Sequence, residues 1–120
     1  MKVDRGTVVL VVLDPTVGRE QRAVRPCIAV SDAAVNADQR FPIIAVVPLT
    51  GTPGQGALYP ELSPGKSGLT KSSYALVNQI RSIDKRRIAA VYRSLEPADM
   101  EAIDEGIRLF LGLTPAVPEG

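Results

Sequence analysis

The 120-residue chain reads as a mostly β domain, a small antiparallel barrel or curled sheet closed by one C-terminal helix. Three features carry that expectation. Short runs rich in β-branched residues recur at close intervals, a single segment near the C-terminus has helical spacing, and glycine and proline crowd into one long stretch between strands.

Residues 6–13, GTVVLVVL, and 26–31, PCIAVS, are bounded by Asp-Pro and Ser-Asp turn signals, and both predict strands. A third strand is expected over 42–49, PIIAVVPL, which runs into glycine and proline. The 21 residues 48–68 hold five glycines and four prolines, too many for a helix or a central strand, so they predict a long loop with a short edge strand at 57–59. A fourth strand is expected over 73–80, SYALVNQI, where apolar and polar residues partly alternate.

The helix is expected over 96–112. Pro97 suits its first position, Asp99 and Glu101 complement its N-terminus, and Gly112 supplies a left-handed stop. Met100, Ile103, Ile107, Phe110 and Leu111 then share one face, to pack on the sheet or on a partner. One domain is expected over 1–113, followed by a loose tail over 114–120.

Composition narrows the chemistry. A hydrophobic content of 45% with 22% charge is ordinary for a soluble domain, no apolar run approaches the ~20 residues that cross a bilayer, and the N-terminus lacks a secretion signal. The expected location is the cytoplasm. The lone Cys27 sits in an apolar run and reads as a small core residue. There is no histidine, which excludes a paired-histidine nuclease, a Ser–His–Asp hydrolase and a histidine-ligated metal site; a magnesium site would lack a dense acidic cluster. No cofactor is expected. Residues 1–93 carry 13 basic and 7 acidic side chains, whereas 94–120 carry 1 and 6. A basic body of this kind fits a phosphate-bearing partner, and a solvated acidic helix accounts for the other end.

Two charged segments stand out, and a third fails. PGKSG at 64–68 lacks the earlier glycine of a phosphate-binding loop, because Pro60 stands there. GREQRAVRPC at 18–27 places Arg19, Arg22 and Arg25 around Glu20 and Gln21 in a connection between strands, where a rigid sheet can present side chains that grip an anion and read a base. RSIDKRR at 81–87 has four basic residues among seven, and spacing alone admits either a row of phosphate contacts or a solvated turn.

GTVVLVVLDPTVGREQRAVRPCIAVS resembles the N-terminal segment of the MazF/PemK family of toxin endoribonucleases. The shared features are Arg5-Gly6, Asp14-Pro15 with Gly18, Glu20 and Gln21, and Arg25-Pro26; VVPLTGTP around Thr50 and NQIRSIDKRRI at 78–88 also match, in order, so the likeness runs from about Lys2 to Leu113. The resemblance implies an SH3-like β-barrel with a C-terminal helix, acting as a homodimer that cuts single-stranded RNA at short sequences without a metal. It also implies a cognate antitoxin, whose acidic, disordered tail a basic groove would accept. Arg25 and Thr50 match the family's catalytic arginine and threonine, and Glu20 its loop glutamate. Many members carry an acidic residue where this chain has Asn78.

The chemistry of these residues agrees with that expectation. Attack by the ribose 2′-hydroxyl on the adjacent phosphate builds negative charge, which Arg25 can meet with paired hydrogen bonds and Thr50 with a hydroxyl. Glu20 is the candidate base, and the implied products are a 2′,3′-cyclic phosphate and a free 5′-hydroxyl. Arg19, Gln21, Gln79, Arg81 and Arg87 are the candidate RNA contacts. The rival expectation is a non-catalytic barrel of the same fold that binds an acidic peptide, or a protein target such as gyrase.

Overall fold

A computed structural model describes residues 2–14, 23–62 and 72–113. The expectations for PGKSG and for the tail lie outside the described residues. The described residues form seven strands: β1 (Thr7–Asp14), β2 (Ala23–Ala29), β3 (Ile43–Thr50), β4 (Glu61–Leu62), β5 (Ser73–Ala75), β6 (Arg81–Asp84) and β7 (Ile88–Ser94). Two helices, α1 (Ala33–Ala37) and α2 (Pro97–Leu111), and two 3-10 turns, Val77–Gln79 and Lys85–Arg87, complete the described chain. No helix among the described residues is long and apolar enough to cross a membrane.

All strand pairs are antiparallel, in the order β4-β5-β3-β2-β1-β7, with β6 also on β3. One edge of β3 is shared in succession: Ile43 to Val46 pair with β6, and Leu49 and Thr50 with β5. Register shifts interrupt β1 against both of its neighbours. Such irregularities bend a strand and increase its twist, so the sheet curls into a half-barrel.

Both faces of this sheet are covered, which explains why β1 is a continuous apolar run rather than an alternating one. One cluster joins Val8, Ile28, Val47 and Leu49 to Leu62, Ala75, Val77 and the helix residues Ile103 and Ile107. The other face gathers Val9, Val11, Leu13, Cys27, Ile44, Val46 and Ile83.

Helix α2 begins at Pro97 and ends where Gly112, at φ +70°, turns the chain left-handed. Ile103 and Ile107 are buried and Met100 packs against them, whereas Phe110 and Leu111, on the same predicted face, are exposed. Arg5 clasps the helix to the sheet: its guanidinium grips Asp104 at 2.7 and 3.2 Å while Nε donates to the Val30 carbonyl. At Gly106 the helix approaches so closely that a Cβ would stand 2.7 Å from the Ala57 carbonyl oxygen.

Three local expectations are corrected, and one helix had no counterpart in the sequence reading. The strand expected over 73–80 stops at Ala75, and the chain passes into the Val77–Gln79 turn. The edge strand expected at 57–59 is a turn, closed by the Tyr59 N–H on the Gly56 carbonyl with Gly56 at φ +95°; the short strand lies at Glu61–Leu62 instead. RSIDKRR is a strand and a 3-10 turn, with β6 formed by its first four residues. Helix α1 has five residues, too few to show a helical period; Asp32 caps its start and the Lys85 ammonium donates to the Val35 and Asp38 carbonyls at its end.

Candidate functional site

Strands β2 and β3 pair with Cys27 opposite Pro48 and Ala29 opposite Val46. Carried two residues further, that register sets Arg25 opposite Thr50, and directly opposed side chains of an antiparallel pair share a face. Residues 25 positions apart thereby become neighbours. Both line a surface pocket of about 300 Å³, together with Val24, Pro26, Leu49, Gly51 and Ser73.

Arg81, opposite Val46 on β6, falls on the same face as Arg25 and Cys27. The Cys27 thiol reports this arrangement. Burial pushes its pKa up to about 12, and the positive charges of Arg25 and Arg81 act against that rise. Two guanidinium groups therefore stand on the thiol's side of the sheet. The face that is apolar through Ile44, Val46 and Ile83 becomes cationic toward Arg25 and Arg81.

The Thr50 hydroxyl has a defined orientation. Its Oγ1 accepts the Thr52 N–H at 3.2 Å, which leaves its own proton free to be donated. Arg25 is exposed, Thr50 half-buried and Ser73 buried. Among the described residues lining the pocket, Arg25 carries the one charge. The arrangement holds donors for an oxyanion, and none of these lining groups is a general base.

The remaining candidates are placed differently. Gln79 is exposed at the end of its 3-10 turn, two residues before Arg81. The Arg87 guanidinium faces the end of β1, where Nη1 donates to the Val12 and Leu13 carbonyls at 3.1 and 3.3 Å. Lys85 is committed to α1, and Arg86 pairs with Asp84, whose carboxyl that hydrogen bond holds below the usual carboxylate range. Lys85, Arg86 and Arg87 of RSIDKRR are thus engaged in bonds within the protein, the Asp84–Arg86 pair at its surface. Arg19, Glu20 and Gln21 lie outside the described residues. Asn78 donates from Nδ2 to the Tyr59 hydroxyl at 2.8 Å.

Sequence reading did not single out Ser73 or Tyr59. Ser73 opens a strand like any small polar residue, and its place in the pocket follows only from the pairing of β5 with β3 and β4. Tyr59 closed the edge strand expected at 57–59.

Comparison with known proteins adds to this geometry. Residues 4–111 match the family described as PemK-like, MazF-like toxin of type II toxin-antitoxin system. The endoribonuclease EndoA of Bacillus subtilis is 34% identical over 116 residues, spanning 94% of this chain and 97% of EndoA. A MazE–MazF crystal structure from Deinococcus radiodurans superposes with a TM-score of 0.76 at 25% identity, covering 95% of this chain and 99% of that one. A mycobacterial endoribonuclease in complex with its cognate antitoxin shares the fold, with a TM-score of 0.73 at 22% identity and coverage of 92% and 96%.

Proposed function

Because the chain belongs to the PemK-like, MazF-like toxin family, we propose that it is an endoribonuclease that cleaves single-stranded RNA, without a metal, at the pocket of Arg25 and Thr50. The observation that carries this reading is the cross-strand placement of a guanidinium and a hydroxyl donor, with a second guanidinium, Arg81, on the same face.

The 2′-hydroxyl of the bound ribose attacks the adjacent phosphorus and loses its proton, the bond to the 5′-oxygen of the next nucleotide breaks, that oxygen takes a proton from solvent water, and the products carry a 2′,3′-cyclic phosphate and a 5′-hydroxyl. Arg25 meets the charge that grows on the phosphoryl oxygens with two N–H donors, and Thr50 adds its hydroxyl. A guanidinium holds its proton throughout most of this change, so Arg25 acts chiefly by charge. Glu20 takes the proton from the 2′-hydroxyl.

Arg19, Gln21, Gln79 and Arg81 contact the RNA strand and its splayed bases, and Arg87 adds charge and its remaining N–H groups at the border of the groove. The catalytic unit is the single domain 1–113, working as a homodimer in the cytoplasm. A cognate antitoxin lays an acidic segment over the same basic surface and blocks it.

The test is incubation of the purified protein with a long RNA transcript in EDTA, followed by end analysis of the fragments. Discrete products with cyclic phosphate ends, absent with Arg25→Ala, are expected. Intact RNA, or equal cutting by Arg25→Ala, contradicts the reading.

A further inference from the structure

Thr50 can act as a transition-state donor only if its hydroxyl is aimed, and the group aiming it belongs to the segment that follows. The Thr52 N–H holds Oγ1. Two residues on, Gly54 lies against Tyr59 so tightly that a Cβ there would stand 2.8 and 2.9 Å from the Tyr59 Cβ and Cγ. The Tyr59 hydroxyl in turn receives the Asn78 amide at 2.8 Å. Flanking backbone bonds run from the Val77 N–H to the Leu58 carbonyl and from the Ala75 N–H to the Pro60 carbonyl, fixing Tyr59 against the Val77–Gln79 turn. Asn78 Oδ1 is buried without a protein partner among the described residues, so the bond to Tyr59 is the amide's one described side-chain contact.

We propose that Asn78 and Tyr59 are positioning residues for the Thr50 hydroxyl. Together they brace the 51–60 segment against the turn that leads to Gln79 and Arg81, setting the spacing between the hydroxyl and the RNA-facing side of the groove. Asn78 therefore works inside the protein, without touching RNA. This rests on the reading of Thr50 as a donor in RNA cleavage.

The brace is tested with a short RNA carrying one cleavage sequence mapped on a transcript. Tyr59→Phe removes the hydroxyl and keeps the ring, and Gly54→Ala displaces the ring and keeps the hydroxyl. Each is expected to lower kcat about tenfold with KM within twofold, circular dichroism unchanged. Placed on a Thr50→Val background, Tyr59→Phe is expected to have no further effect, because the group it aims is gone. A merely structural role would lower the rate equally in both backgrounds. Full activity of Tyr59→Phe, an equal loss on the Thr50→Val background, or a raised KM at unchanged kcat would each overturn the proposal. Absence of cleavage by the wild-type protein removes the nuclease reading itself, whereas wild-type cleavage matched by Tyr59→Phe removes this inference alone.

Discussion

The two faces of the central sheet use the same strands to different ends. On one, Val8, Ile28, Val47 and Leu49 meet Ile103 and Ile107 of α2 and are sealed from water. On the other, the apolar rows of Cys27, Ile44, Val46 and Ile83 continue into Arg25, Thr50 and Arg81. Both faces bury apolar side chains, and the second turns cationic where β2 and β6 carry Arg25 and Arg81. A packed sheet thus presents the Arg25 and Arg81 guanidinium groups and the Thr50 hydroxyl on one face.

Substitutions on the two faces should therefore separate activity from stability. Arg25→Ala is expected to have the largest effect, a loss of about 10³-fold in cleavage rate with the urea unfolding midpoint unchanged, since an exposed donor to the growing charge is removed. A fall in stability to match would erase the distinction between the faces. Ile103→Ala, on the sealed face, is expected to cost about 3 kcal/mol in urea unfolding while leaving the rate per folded molecule intact. Loss of rate in a still-folded sample would show that α2 reaches into catalysis.

How far this contrast was legible beforehand varies along the chain. The strands β1 and β3 were legible because β-branched runs bounded by turn residues leave few alternatives, and α2 because its period, its N-terminal proline and Gly112 agree; β2 starts at Ala23, so Arg25, expected in a connection, stands within a strand. Residues 73–80 misled for a physical reason: burial goes on alternating from Ser73 to Asn78 after the backbone has left the sheet, since Leu76 and Val77 still donate to the Pro48 and Leu58 carbonyls. Periodicity reads the burial and misses the turn. In β6 one apolar residue, Ile83, lies among charges, too little to mark a strand. Arg25 and Thr50 were singled out through chemistry and family resemblance; that the β2–β3 register, carried on from Cys27 and Pro48, brings them close is something no local pattern encodes.

Smaller effects sharpen the same comparison. Thr50→Val is expected to slow cleavage about 10- to 100-fold while RNA affinity stays within about 1 kcal/mol, as for a donor used mainly in the transition state. Equal losses in affinity and rate would make Thr50 a binding residue. Least of all should alkylation probes touch Cys27: the thiol is fully buried with its pKa pushed up to about 12, so at pH 8 it is protonated and inaccessible. Mass spectrometry after iodoacetamide treatment should find the native protein unmodified. Rapid labelling would mean that the apolar part of this face is open.

The central claim is that Arg25 and Thr50 act on one phosphate as a cross-strand pair. Cleavage rates of a single defined RNA by wild type, Arg25→Ala, Thr50→Val and the double variant measure it directly. If the pair stabilises one developing charge, the double variant loses far less than the product of the two single losses. A double loss equal to that product would mean that the two side chains work independently, and the shared site would be refuted.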